Sequence, residues 1–295
     1  MRIALATCQE LPELDADDHA YVAALRARGA TVTLPIWDDQ HASWDADVVV
    51  VRSTWDYSER RDAFVAWAAT VDAQTPLFLN PSAMIRWNTD KQLYLTDLSE
   101  QGIATVPTAW LAKDGAKESA HVDVAALVAL RGWRDVVIKP VVGAGSRDTI
   151  RVLHNDLATV GQRFVQEQTK KQALMVQPFL PRIADGEVSL IFLDGSYSHS
   201  VIKRPRSGDF RSQPEFGSQI DRHSPTSTER SLADRALHIA GGRPLYARVD
   251  LVTGLDDQPA VIELEMVEPC LYLGWSDDAA AVFADATLRR ANERR

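Results

Sequence analysis

Cysteine is almost missing from this chain of 295 residues: only Cys8 and Cys270 occur, far apart and in no Cys-x-x-Cys arrangement. That excludes a thiolate zinc site and a disulfide framework, and it points to a reducing compartment. Basic charge is also in short supply. Lys and Arg total 32 against 41 Asp and Glu, a formal net charge of -9, whereas a nucleic-acid footprint needs a basic face. Local basic loops can still hold acidic or phosphorylated small ligands. No apolar run is long enough to span a bilayer, and the N-terminus lacks a basic-then-apolar signal pattern. Repeats and low-complexity tracts are missing too. The expectation is a cytoplasmic globular protein without a nucleic-acid or membrane partner, its oligomeric state open and a homodimer compatible with it.

A chain of this length should form two or three compact units, each with its own core. Residues 2–8 read as a buried strand, 15–28 as a helix closed by Gly29, 31–37 and 47–51 as strands, 60–71 as a helix and 77–79 as a short closing strand. That alternation implies a parallel sheet with helices on its faces, a Rossmann-like unit over residues 1–85. Ligands of such sheets bind beyond the carboxyl ends of the strands. Two loops fall there, Cys8-Gln9-Glu10 and Arg52-Ser53-Thr54-Trp55-Asp56-Tyr57. The second combines a cation, hydroxyls, an indole, a carboxylate and a phenol, which suits a small-molecule contact surface. Its plainer use is a helix start capped by Ser53 or Thr54.

Asn80-Pro81-Ser82 breaks the chain, and a helix follows from Asn88 to Gln101, with Asn88 or Thr89 as its cap. A central unit over 86–180 then contains a polar connection at 114–121, a helix at 122–130, strands around Lys139, Ile150 and Val176, and a helix at 157–170. Hung between two larger pieces, its latter part looks like a mobile lid. The last unit, 181–295, opens with two strands joined at Asp194-Gly195, a hairpin signal.

Three stretches carry chemistry. Val136 to Thr149 (VVIKPVVGAGSRDT) is an apolar strand that presents Lys139, followed by a loop opened by Gly143 and Gly145. Backbone N–H groups of such a loop close over an anion, and a Lys serves as a point charge on phosphate. It is neither a Walker A loop, which ends Gly-Lys-Ser/Thr, nor a dinucleotide fingerprint, because Asp148 stands where the third Gly belongs. An edge hairpin with a flexible turn is the bland alternative. Lys203 to Gln213 places four cations within nine residues, either a solvated loop or the far side of the same anion site.

The third stretch is a pair of strands, Tyr246 to Val252 and Ala260 to Met266, joined by a turn at Gly254 to Gln258. Side chains alternate faces along a strand, and closing the hairpin sets Asp250 opposite Glu263 and Arg248 opposite Glu265. Opposed carboxylates repel, so a cation between them is the natural explanation. Oxygen ligands without His or Cys suit Mg²⁺, which completes its shell with substrate phosphates. A half-solvated face with Arg248 as counter-ion is the alternative.

Together these pieces resemble the ATP-grasp superfamily, in the branch of glutathione synthetases and ribosomal-protein glutamate ligases, with motif order matching from Asn80 to Pro269. The resemblance implies an α/β ATP-grasp fold: an N-terminal Rossmann-like domain, a mobile lid domain and a C-terminal mixed α+β domain. It implies that Lys91 and Lys139 contact phosphates, that Gly143, Gly145 and Ser146 belong to the lid loop, and that Gln177, Phe179 and Leu180 hold adenine. Glu187 then takes the ribose hydroxyls, Arg211 meets the transferred phosphoryl, and Asp250, Glu263 and Glu265 hold one or two Mg²⁺. Glu265 departs from the family's usual Asn. The implied reaction is ADP-forming ligation of a small carboxylate to an amine through an acyl phosphate, with Arg248 beside the carboxylate or its oxyanion. A narrower likeness, in the Arg-Ser-Thr-Trp-Asp-Tyr loop and the Glu-Leu-Glu-Met-Val-Glu-Pro ending, is to the cyclo-ligases that form cycloserine in antibiotic biosynthesis. It implies Ser53, Thr54, Trp55, Gln213 and Gly217 as substrate contacts. An intermolecular ligase, a small-molecule kinase and a non-catalytic nucleotide-binding module are the competing readings.

Overall fold

A computed structural model describes residues 1–116, 122–241 and 243–293, so part of the polar connection expected at 114–121 lies outside the described residues. The first sheet runs through β1 (Arg2–Thr7), α1 (His19–Ala27), β2 (Thr31–Thr33), β3 (Val48–Ser53), α2 (Arg61–Gln74) and β4 (Phe78–Leu79). Its order is β2-β1-β3-β4 and every pair is parallel. β3 reads VVVVRS and is buried at every position, as expected of a strand covered on both faces. Alternation sorts the side chains: Ile3, Leu5, Val48 and Val50 join one core, Ala4, Ala6, Val49 and Val51 another. α1 ends at Gly29, whose φ of 80° is left-handed. There the Ala30 N–H reaches back to the Leu25 carbonyl at 3.1 Å, closing the last turn. β2 is shorter than the 31–37 expected. Pro35 has no N–H to give the ladder, and the chain returns to β1 only through an isolated bridge between Thr7 and Ile36.

A further helix, α3 (Ser82–Asn88), precedes the one expected from Asn88 to Gln101, which is present as α4 (Lys91–Glu100). The cap of α4 is Asp90, which accepts the Gln92 and Leu93 N–H groups at 3.0 and 3.3 Å. Asn88 is spent elsewhere, donating to the Leu264 carbonyl at 2.8 Å and accepting the Met266 N–H at 2.6 Å.

The second sheet comprises β5 (Ala109–Leu111), α5 (Val124–Leu130), β6 (Val136–Pro140), β7 (Ile150–Val152), α6 (Gln162–Gln168) and β8 (Leu174–Pro178), with its strands antiparallel in the order β5-β8-β6-β7. The third comprises β9 (Glu187–Leu193), β10 (Ser196–Arg204), β11 (Gln219–Arg222), α7 (Ser227–Ile239), β12 (Tyr246–Thr253) and β13 (Pro259–Glu265), in the antiparallel order β11-β10-β9-β12-β13. Asp194 and Gly195, at φ 53° and 75°, make the expected β9–β10 turn.

Two irregularities set the site. A register shift between Tyr197 and His199 brings Lys203 opposite Glu187. On β13, Leu251 pairs with Val261 while Asp250 pairs with Glu263, so Ile262 is an extra residue, a bulge. Arg248 faces Glu265 as expected. Finally α8 (Ala279–Glu293) returns to the first sheet. Phe283 stacks on Tyr21 of α1 at 3.8 Å between centroids, and the Tyr21 hydroxyl meets Thr287 at 2.7 Å.

Candidate active site

A cavity of about 1090 Å³ opens where the second and third sheets face each other, closed at one end by the loop after β3. Its floor is formed by Arg248 of β12 and by Glu263 and Glu265 of β13, with Asp250 buried just beneath the lining. Asp250, Glu263 and Glu265 each offer an oxygen, and these lie within 4.8 Å of one another. Asp250 is deeply buried, held by the Ser189 hydroxyl at 2.5 Å and by Arg248 Nη2 at 2.9 Å, with Lys203 Nζ at 3.7 Å. Arg248 also reaches Glu265 at 2.8 Å, and Lys91 Nζ reaches Glu263 at 2.9 Å.

Burial opposes ionisation of Glu263, but Lys91 and Lys139 outweigh it and hold that carboxyl down at about 2. Glu265 is pushed the other way, to about 7, by burial and by its neighbours Glu263 and Asp250, despite Arg248. Glu268 is raised to about 8 by burial and by Glu265. The face thus sets its carboxylates against Lys91, Lys139, Lys203 and Arg248. Its donors are oxygens alone, which fits a hard divalent cation such as Mg²⁺.

Lys139, near the end of β6, lines the cavity. Burial lowers its pKa, and Lys91 adds to the effect. Lys91 bridges two parts of the wall, because its ammonium also donates to the Gly143 carbonyl at 2.9 Å. Gly143, Gly145 and Ser146 line the cavity beside it, Gly145 and Ser146 both with positive φ. Gln177, on β8, and Phe179 and Leu180, just after it, line the cavity from the strand next to β6. There the Gln177 amide donates to Thr108 at 3.0 Å, and the Arg151 guanidinium lies 3.5 Å above the Phe179 ring. Glu187 lines the cavity with one oxygen on Lys203 at 2.5 Å and the other on Ser212 at 2.6 Å. Each oxygen keeps a second lone pair for a ligand hydroxyl. Arg211 is also in the wall, paired with Asp209 at 2.8 Å and stacked 3.7 Å over Phe216.

Of the five expected substrate contacts, Trp55 and Gln213 line the cavity, while Ser53, Thr54 and Gly217 do not. Ser53 is buried, its hydroxyl accepting the Asp15 N–H at 2.8 Å and donating to Asp18 at 3.3 Å. Thr54 is buried behind the wall, and it makes no capping bond to the turn at Trp55–Glu59. Cys270 lines the cavity, yet burial pushes its thiol up to about 12, and burial raises Cys8 as well. Neither is an activated nucleophile. Tyr57 and Lys203, each expected at a ligand only as part of a longer stretch, are in the wall, and so is Tyr272, which no sequence pattern marked.

This arrangement of antiparallel sheets around a lysine-lined, acid-floored cavity defines a phosphoryl-transferring ligase of the ATP-grasp kind. The family model for the N-terminal domain of D-cycloserine synthetase DcsG matches residues 3–80, and that for the ATP-grasp domain of prokaryotic glutathione synthetase matches residues 119–257. The cycloserine biosynthesis protein DcsG of Streptomyces lavendulae is 31% identical over 98% of each chain. The crystal structure of D-cycloserine synthetase DcsG superposes with a TM-score of 0.84 at 29% identity, over 99% of this chain and 100% of the other. A RimK-domain ATP-grasp protein from Sphaerobacter thermophilus shares the fold at a TM-score of 0.71 and 19% identity, over 97% and 99% of the two chains. The chain belongs to the ATP-grasp ligases. It is an ATP-dependent carboxylate–amine ligase by family, and such enzymes use ATP and Mg²⁺. Among the described residues no helix is long and apolar enough to cross a membrane.

Proposed function

We propose that this ligase closes a ring within one molecule, acting on an amino acid that carries an aminooxy-type nitrogen, of the O-ureidoserine kind. The observation that carries the reading is the likeness to the cycloserine protein over 98% of both chains, together with a family match at 3–80 that includes the loop after β3. Glutathione synthetase of Prochlorococcus marinus, by contrast, matches over 49% of this chain.

In this reading residues 1–85 shape the substrate end, 86–180 cover the nucleotide and 181–295 carry the acidic face. Lys91, Lys139 and the N–H groups of the Gly143–Ser146 loop hold phosphates, while Gln177, Phe179, Leu180 and Glu187 hold adenine and ribose. Asp250, Glu263 and Glu265 would hold one or two Mg²⁺. When bound, the metal neutralises charge on the phosphates. Arg248 holds the substrate carboxylate, whose oxygen attacks the γ-phosphorus while Arg211 neutralises the moving phosphoryl and ADP leaves. The nitrogen of the same molecule then attacks the acyl carbon, and phosphate departs with the C–O bonding pair. Arg248 steadies the oxyanion between these steps, and closure of the lid over the cavity keeps water from the acyl phosphate.

The test is coupled ADP and phosphate release with MgATP against amino acids, dipeptides and O-ureidoserine. Stoichiometric phosphate from O-ureidoserine alone is the expected result. Phosphate that appears only when two compounds are mixed would replace this reading with an intermolecular ligase, which the glutathione-synthetase family match also supports.

A further inference from the structure

At the acidic end of the cavity one carboxylate is left without an ion-pair partner. Glu263 is paired with Lys91 and Glu265 with Arg248, whereas Glu268 has no cation within ion-pair distance among the described residues. Glu268 also stands outside the cluster of oxygens formed by Asp250, Glu263 and Glu265. It is beside the cation site rather than in it, and it lines the cavity.

Its backbone is fastened on both sides. The Tyr246 hydroxyl donates to the Val267 carbonyl at 2.7 Å, the Trp55 indole to the Glu268 carbonyl at 3.0 Å and Arg52 to the Pro269 carbonyl at 2.9 Å. The loop after β3 therefore brings Trp55 to Glu268, and Tyr57 from the same loop lines the cavity too. A carboxylate held without a cation next to other carboxylates is unfavourable. A carboxylate beside aromatic rings is a receptor for a primary ammonium. Arg248, its charge partner for the opposite end of a ligand, lines the same cavity.

We infer that Glu268 receives the α-ammonium of the substrate while Arg248 receives its carboxylate, so that the pocket selects α-amino acids over plain carboxylic acids. The inference rests on the reading of this cavity as the ligase site. Opposite charges on one carbon of the ligand meet opposite charges of the wall, which fixes the end that enters phosphoryl transfer.

The test compares O-ureidoserine with its des-amino counterpart, 3-(ureidooxy)propanoate, in ADP release by the wild-type enzyme and Glu268→Gln. The wild type should favour the amino acid by about ten- to hundredfold in kcat/KM. Glu268→Gln should lose most of that preference through a higher KM for the amino acid, with the half-saturating Mg²⁺ unchanged. A preference kept in full overturns the inference, as does a raised Mg²⁺ requirement in its place, which would make Glu268 a metal ligand. A wild type without the preference overturns the inference by itself, and Glu268→Asp, which keeps the charge but shortens its reach and should lose part of the preference, takes the place of a misfolded Glu268→Gln. If O-ureidoserine releases no phosphate, the cyclising reading fails alone. The comparison is then made by tryptophan-fluorescence titration with MgADP present, using alanine against propanoate and serine against 3-hydroxypropanoate. Equal binding within each pair overturns the inference.

Discussion

Arg52 and Asp18 form an ion pair at 2.8 Å with both side chains only 2% exposed. Arg52 also lies 4.8 Å over the Tyr246 ring and donates to the Pro269 carbonyl. Removing one partner leaves a buried charge alone, which costs about 3–5 kcal/mol. Arg52→Met should lose that much in urea unfolding, and adding Asp18→Leu should recover a large part of it. A loss below about 1 kcal/mol, the range of exposed pairs, would contradict the pairing. Within the cavity, Lys139→Ala and Glu263→Gln should each abolish ADP formation while circular dichroism stays native. A folded Glu263→Gln enzyme with full turnover would sink the metal assignment. Gly186 precedes Glu187 at φ 125°, and a Cβ there would stand 2.5 Å from Ile202 Cγ1. Gly186→Ala should therefore lower the melting temperature and raise the KM for ATP by displacing Glu187; an unchanged KM would separate the two effects.

Among the elements, β10 carries His199, whose Nε2–H donates to the Leu271 and Tyr272 carbonyls at 3.0 Å while Nδ1 accepts from Ser198 at 2.9 Å. The neutral ring satisfies both contacts, with the Ser198 hydroxyl as donor. Burial lowers its pKa below the ordinary 6.5, despite those carbonyls and the charges of Asp17 and Asp278. The unfolded chain therefore takes up the proton more readily, and stability present above about pH 6.5 is lost as pH falls below it. His199→Gln should flatten that part of the urea midpoint against pH. The strands and their faces were legible wherever period and turn residues agreed: β1, β3, the Asp194-Gly195 hairpin and the pairing of Asp250 with Glu263 all follow from local pattern. What escaped were features decided by distant partners. The split of α3 from α4 depends on Asn88 binding β13, and the cap passes to Asp90 for that reason. β5 and β11 are short edge strands whose three and four residues carry too little period to read. Ser53 looked like a ligand contact because nothing in its neighbourhood names Asp18 as its partner.

For the whole molecule, the first sheet is completed by the last helix. One core joins Ile3, Leu5, Tyr21 and Val48 to Phe283, Ala284 and Ala286. At about 25 cal/mol per Å² of apolar surface, uncovering that face is not tolerable for a marginally stable fold. A chain ending at Asp278 should lose its cooperative unfolding transition and aggregate on expression; a monomeric, sharply melting product would show that α8 is dispensable. The same long-range ties hold the site, since Trp55 and Arg52 fasten to Glu268 and Pro269. Many chains fold from the N-terminus as they leave the ribosome. Here β1 and α1 precede most of their cover, from β9 to α8, by more than half of the chain, so that face of the nascent sheet stays uncovered while the intervening residues are made. Until α8 packs, the first sheet is half of a core rather than a finished unit.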